Sequence, residues 1–223
     1  MMRIEYIDNN PCIDDVETFY NLLNTYNYGF AYNDMVMIYS PQTATAFSNA
    51  VDKNWKLMDS ETVDKYKVGI CYDMVRREAD WFENECKYPI KTQAYYVEFN
   101  SGDTHTWLMF NESVFDENIS TYVFEVAWSK HSGVFQVDRN NLIGQYIEDV
   151  PPFSGIGERY VLFEYEPLSE NPGMTIDEFK YNKWKNGWLK WTNCTSYKDL
   201  IDSFGLKGRE KELNLERFKT KWR

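Results

Sequence analysis

The stretch Val68-Gly69-Ile70-Cys71-Tyr72-Asp73-Met74-Val75-Arg76-Arg77-Glu78-Ala79-Asp80-Trp81-Phe82-Glu83-Asn84-Glu85-Cys86 decides the fold. Counting from Cys71, the residues Val75, Ala79, Phe82 and Cys86 recur at i+4, i+8, i+11 and i+15. That spacing draws one apolar stripe on a helix, with Arg76, Arg77, Glu78, Glu83 and Glu85 largely off it. Cys71 therefore opens a helix on its buried side, where free amides and the positive end of the helix dipole favour a thiolate. Gly69 permits a close backbone approach or a positive φ there, or marks an ordinary turn. Asp73, in the first turn, favours the dipole or orients a loop.

Downstream, the segments 94–99, 104–110, 122–128, 133–137 and 159–165 are rich in aromatic and β-branched residues and are separated by polar turns, the pattern of strands. A helix laid on an antiparallel sheet gives an α+β domain. Two of these strands carry His105, in Thr104-His105-Thr106-Trp107, and Glu125, in Phe124-Glu125-Val126-Ala127-Trp128. If Phe110 pairs with Ser120 across the polar loop between them, His105 falls directly opposite Glu125, with Cβ atoms about 4.5–5.5 Å apart. A thiol, an imidazole and a carboxylate in that order supply a nucleophile, its base and an orienting group. Trp107 and Trp128 read first as core residues beside this site, and His131 as part of a polar turn.

Upstream, Val16, Phe19, Leu22, Leu23 and Tyr26 fall at helical spacing behind Asp14 or Asp15 as a cap, following a short opening strand. Residues 35–39 have strand character, and a short helical turn begins at Ser60. Near the end, Lys180, Lys183, Lys185, Lys190 and Lys198 interleave with Tyr181, Trp184, Trp188 and Trp191. Such a mixture can bind nucleic acid or a phosphorylated ligand. The spacing of the three tryptophans instead favours one buried helix stripe, against which only Gly187 speaks. Residues 207–223 carry an excess of basic side chains, with Leu213, Phe218 and Trp222 to dock a terminal helix.

The chain has 223 residues, 43% of them hydrophobic and 17% aromatic, enough for a sizeable core. Its net charge of −11 opposes binding to nucleic acid or anionic membrane. No run of about 18 apolar residues and no secretory signal is present, so a soluble, cytoplasmic location is expected. Cys12, Cys71, Cys86 and Cys194 lie far apart with no C-x-x-C spacing, which argues against a zinc knuckle or a disulfide framework. No cofactor or metal is implied, and metal binding by Cys71, His105 and Glu125 lacks a fourth donor at suitable spacing.

The segment 60–73, with Thr104-His105-Thr106-Trp107 and Phe124-Glu125-Val126-Ala127-Trp128, resembles the small bacterial transglutaminase-like proteins of the papain-like cysteine protease superfamily. The likeness spans about residues 15 to 180 and is strongest in these three blocks. It implies a nucleophile helix on an antiparallel sheet, with Cys71 as nucleophile, His105 as base and Glu125 as orienter. Better-known members carry an aspartate before Pro-Thr where this chain has glutamate before Val-Ala-Trp. The resemblance also implies an oxyanion donor, which the Cys71 amide fits by position, while neither Gln42 nor Trp55 can be chosen as a side-chain donor. On this reading residues 1–180 form the transglutaminase-like domain, and 181–223 an aromatic and basic, helical C-terminal extension packed on it.

The expected activity is cysteine-dependent acyl transfer or hydrolysis on a peptide or protein amide, as a peptidase, deamidase or transglutaminase. The alternative is a non-catalytic protein that uses the same cleft to bind or sequester a peptide, nucleotide or partner protein.

Overall fold

In chain order, the computed structural model begins with helix α1 (Ile13–Leu23) and two strands, β1 (Asn27–Tyr32) and β2 (Met35–Ile38). It describes residues 13–32, 35–38, 55–86, 89, 91–110, 121–125, 133–137 and 158–222. The expected opening strand, Cys12, Gln42, Trp128 and His131 lie outside these residues. Helix α1 starts at Ile13, so Asp14 and Asp15 sit in its first turn rather than at its cap.

Helix α2 (Ser60–Tyr66) is set at both ends by local chemistry. The Asp59 carboxylate accepts from the Thr62 amide at its start, and Lys67 closes it in the left-handed region at φ 53°. The chain then enters β3 (Val68–Gly69), which pairs parallel with β1 while β2 pairs antiparallel with it. This small mixed sheet feeds directly into α3 (Cys71–Asp80), continued by a π-helical turn (Trp81–Glu85).

The expected stripe of α3 is buried throughout, from Cys71 through Val75, Ala79 and Phe82 to Cys86. Burying a side chain such as Val75 or Phe82 contributes about 1.5–3 kcal/mol. The polar side of the helix departs from expectation, because Arg77 and Glu78 are buried as well. α3 is sandwiched between α2 and the main sheet, so it has no fully solvated face. Arg77 is accommodated by ion pairs to Asp64 at 3.0 Å and Glu85 at 2.7 Å.

The main sheet comprises β4 (Thr92–Phe99), β5 (Thr104–Phe110), β6 (Thr121–Glu125), β7 (Gly133–Val137), β8 (Tyr160–Tyr165) and β9 (Trp188–Thr192). Its six strands run antiparallel in the order β7-β6-β5-β4-β8-β9, which makes the class α+β. Ala94, Tyr96, Leu108, Phe124, Val161 and Phe163 from this sheet join the α3 stripe in one core.

Helix α4 (Ile176–Asn186) begins with a reciprocal capping box between Thr175 and Glu178, then stops at Gly187. A Cβ at position 187 would lie 2.5 Å from the Lys183 carbonyl oxygen, so only glycine fits this exit. The single tryptophan stripe is therefore overturned. Trp184 is buried on α4, but Trp188 and Trp191 belong to edge strand β9 and are 68% and 55% exposed. Residue 180 falls within α4, and the residues beyond it supply β9, α5 (Tyr197–Ser203) and a 3-10 helix (Leu215–Trp222), so the extension is part strand. Leu213 and Phe218 are buried in the core. Among the described residues no helix is long and apolar enough to cross a membrane.

Candidate active site

The start of α3 is fixed by Asp73. Its carboxylate accepts from the Ile70 amide at 3.0 Å and from the Met58 amide at 2.8 Å, binding the helix cap to the preceding segment. Burial pushes this carboxyl up to about 7, against the lowering effect of those two amides and of the Trp55 side chain. Gly69 is explained by close approach, not by positive φ. A Cβ there would sit 3.0 Å from the Asp73 Cβ and 3.2 Å from the Met74 Cε. Cys71 is thus the first residue of a tightly held helix, and its amide has no intrahelical carbonyl to bond.

His105 and Glu125 meet, though not in the expected register. Phe110 pairs with Tyr122 rather than Ser120, and Leu108 with Phe124. Carried one pair further, the register sets Glu125 opposite Trp107 and makes His105 its diagonal neighbour. A slip of two residues keeps both side chains on one pleat face, and a diagonal separation of about 7–8 Å lies within reach of long side chains. His105 Nε2 lies 2.6 Å from Glu125 Oε2, with both side chains buried. Trp107, also buried, stacks on the His105 ring at a centroid distance of 6.0 Å and donates its indole N–H to the Met109 sulfur. It packs the core, as expected, and also backs the His105 ring.

Cys71, at the start of the helix that packs on β5, lies within electrostatic reach of the His105 ring. Burial opposes a charged ring here, yet the Glu125 carboxylate and the Cys71 contact prevail and push His105 up to about 10. His105 is therefore held as an imidazolium at neutral pH. Around it, Tyr72 donates to Thr104 Oγ1 at 3.0 Å, and the Tyr165 hydroxyl shares a hydrogen bond with Thr106 at 2.7 Å. Burial pushes both phenols well up, and the neighbouring Cys71 adds to it.

No protein-family model matches the chain, and no curated protein or solved structure matches it either. The geometry alone must carry the functional argument.

The structure brings together the three residues singled out from the sequence and places Gly69, Asp73 and Trp107 in support of them. It also adds one that the sequence reading put on the solvated side. Glu78 is 1% exposed, and burial first, then the charge of Glu125, push its carboxyl well above the usual range. The signal was present: position 78 is i+7 from Cys71, the same side of the helix two turns on. Cys86 and Cys194 are buried free thiols, and Cys86 donates to the Phe82 carbonyl instead of entering the site. Among the described residues no group of three or more His, Cys, Asp or Glu side chains is arranged to hold a metal ion.

Proposed function

We propose that the protein is a transglutaminase-like cysteine enzyme that performs acyl transfer or hydrolysis on peptide or protein amides. The observation that carries this reading is His105, which contacts Glu125 at 2.6 Å and is coupled electrostatically to the Cys71 thiol at the start of α3. In the first half-reaction the Cys71 sulfur attacks the amide carbonyl, with the Cys71 amide positioned to meet the developing oxyanion. His105 passes its proton to the departing amine, leaving a thioester on Cys71 and a neutral ring. In the second, water or a primary amine attacks the thioester and gives its proton back to His105, and the thiolate leaves. Glu125 stabilises the imidazolium and fixes the ring throughout. Water as acceptor makes the enzyme a peptidase or deamidase, and an amine makes it a crosslinking enzyme. A reactive free thiol fits a reducing, cytoplasmic compartment.

One observation favours a second reading. Cys71 is 3% exposed, as is His105. A site so covered also suits a protein that holds a partner without turnover.

Iodoacetamide alkylation, followed by peptide mapping of Cys71 across pH in the wild type and His105→Ala, separates the two. An activated thiolate alkylates readily below about pH 7 and is slowed in the variant. If Cys71 behaves as an ordinary thiol in both proteins, or stays unlabelled in both, the catalytic reading fails.

A further inference from the structure

Glu78 shares the buried space of Cys71, His105 and Glu125, and nothing in the mechanism above uses it. It projects from α3 two turns after Cys71, and its Oε2 has no hydrogen-bond partner. An orphaned buried oxygen is costly, because its lost hydration is not replaced. The cations adjacent to it in sequence are committed elsewhere: Arg77 to Asp64 and Glu85, and Arg76 to the Pro167 and Glu170 carbonyls. The titratable groups that face it are Cys71 from its own helix, His105 from β5, Glu125 from β6 and Tyr165 from β8.

Glu98 shows how the fold treats a half-buried carboxyl whose purpose is structural. Its Oε2 accepts from the Tyr96 hydroxyl at 2.6 Å and from the Trp184 indole at 3.0 Å. Glu78 has no such partner at Oε2. It lies instead within electrostatic reach of the His105 ring that Glu125 already contacts, and two carboxylates near one cation in a dry site cannot both ionise cheaply.

We propose that Glu78 is a positioning residue of this site: a buried carboxyl with an orphaned oxygen, two turns from Cys71 on the helix that packs against β5, whose ionised form prolongs the life of the His105 imidazolium. This rests on the catalytic reading above. Burial without a partner at Oε2 favours the neutral acid, which adds no charge beside the Glu125 carboxylate. Once ionised, Glu78 places a second negative charge near His105. Interaction between titrating sites is mutual, so that charge delays the loss of the ring proton.

The test is the alkylation profile of Cys71 in the wild type, in Glu78→Gln and in Glu78→Met. In the wild type the rate rises in two steps, the first as the thiolate–imidazolium pair forms and the second as His105 deprotonates. Both variants lack this carboxylate, so the interval between their steps narrows by at least about half a pH unit. Glu78→Met fills the space with an apolar chain and removes the orphaned oxygen, which guards against a variant that fails to fold. Two wild-type steps with an unchanged interval in either folded variant overturn the role of Glu78 and leave the catalytic reading standing. A single step like that of a free thiol in the wild type overturns both.

Discussion

His105–Glu125 and Lys183–Glu170 are both ion pairs withdrawn from solvent, and they sit in different chemistry. Lys183 reaches from α4 to Glu170 and lies over the rings of Tyr165 and Phe179, 4.6 and 4.7 Å from their centroids. Burial lowers its pKa, and the attraction of Glu170 recovers only part of that. At His105 burial pulls the same way and loses, because a carboxylate and a thiol both act on one ring. A buried pair is therefore not by itself a site. What distinguishes His105–Glu125 is the Cys71 thiol within electrostatic reach of the ring and an orphaned acid, Glu78, on the same helix.

The largest expected effect is on the structural pair. Lys183→Ala leaves Glu170 without its partner and costs about 3–5 kcal/mol in a denaturant melt. The pH profile of Cys71 alkylation in the folded variant stays that of the wild type. A shifted profile would break the separation between the two pairs.

Next comes His105→Ala, which slows Cys71 alkylation at about pH 6 by roughly 100-fold, the scale of a lost acid–base partner. A variant as reactive as the wild type would place His105 with the structural pairs.

Glu125→Gln gives a smaller effect with a definite pH signature. The folded value of His105 lies above its unfolded value, so the pair's contribution to stability is complete below about pH 6.5 and is lost as pH rises toward about 10. The stability difference between wild type and variant, from melts at successive pH values, shrinks across that window. A difference that is flat with pH would mean that Glu125 acts only by packing.

The smallest effect belongs to the exposed edge. Trp188→Ala changes stability by no more than about 0.5 kcal/mol, since its ring is largely in solvent and touches neither pair. A loss above about 1 kcal/mol would show that strand β9 is covered in solution.

How far the sequence could be read follows from what each element packs against. The α3 stripe was legible because its buried residues repeat at helical spacing, and the His105–Glu125 meeting because parity survives a two-residue error in register. Glu78 was legible in its position, i+7 from Cys71, but not in its residue type, since a reading with one apolar and one polar face sends every acid to solvent; Arg77 was missed because α2 occupies the place of solvent there. Trp188 and Trp191 misled because their spacing to Trp184 fits a helix that Gly187 ends. The parallel pairing of β1 with β3 joins residues far apart in the chain, and no local pattern marks it.

The central claim is that His105 stands as an imidazolium between Cys71 and Glu125. The chain has two histidines, so His131→Gln leaves a single imidazole in the nitrogen spectrum. Ring 15N shifts followed from about pH 6 to about pH 11 are predicted to report a doubly protonated ring through neutral pH that titrates near 10. A ring that loses its proton near about pH 6.5, as an ordinary histidine does, would contradict the account.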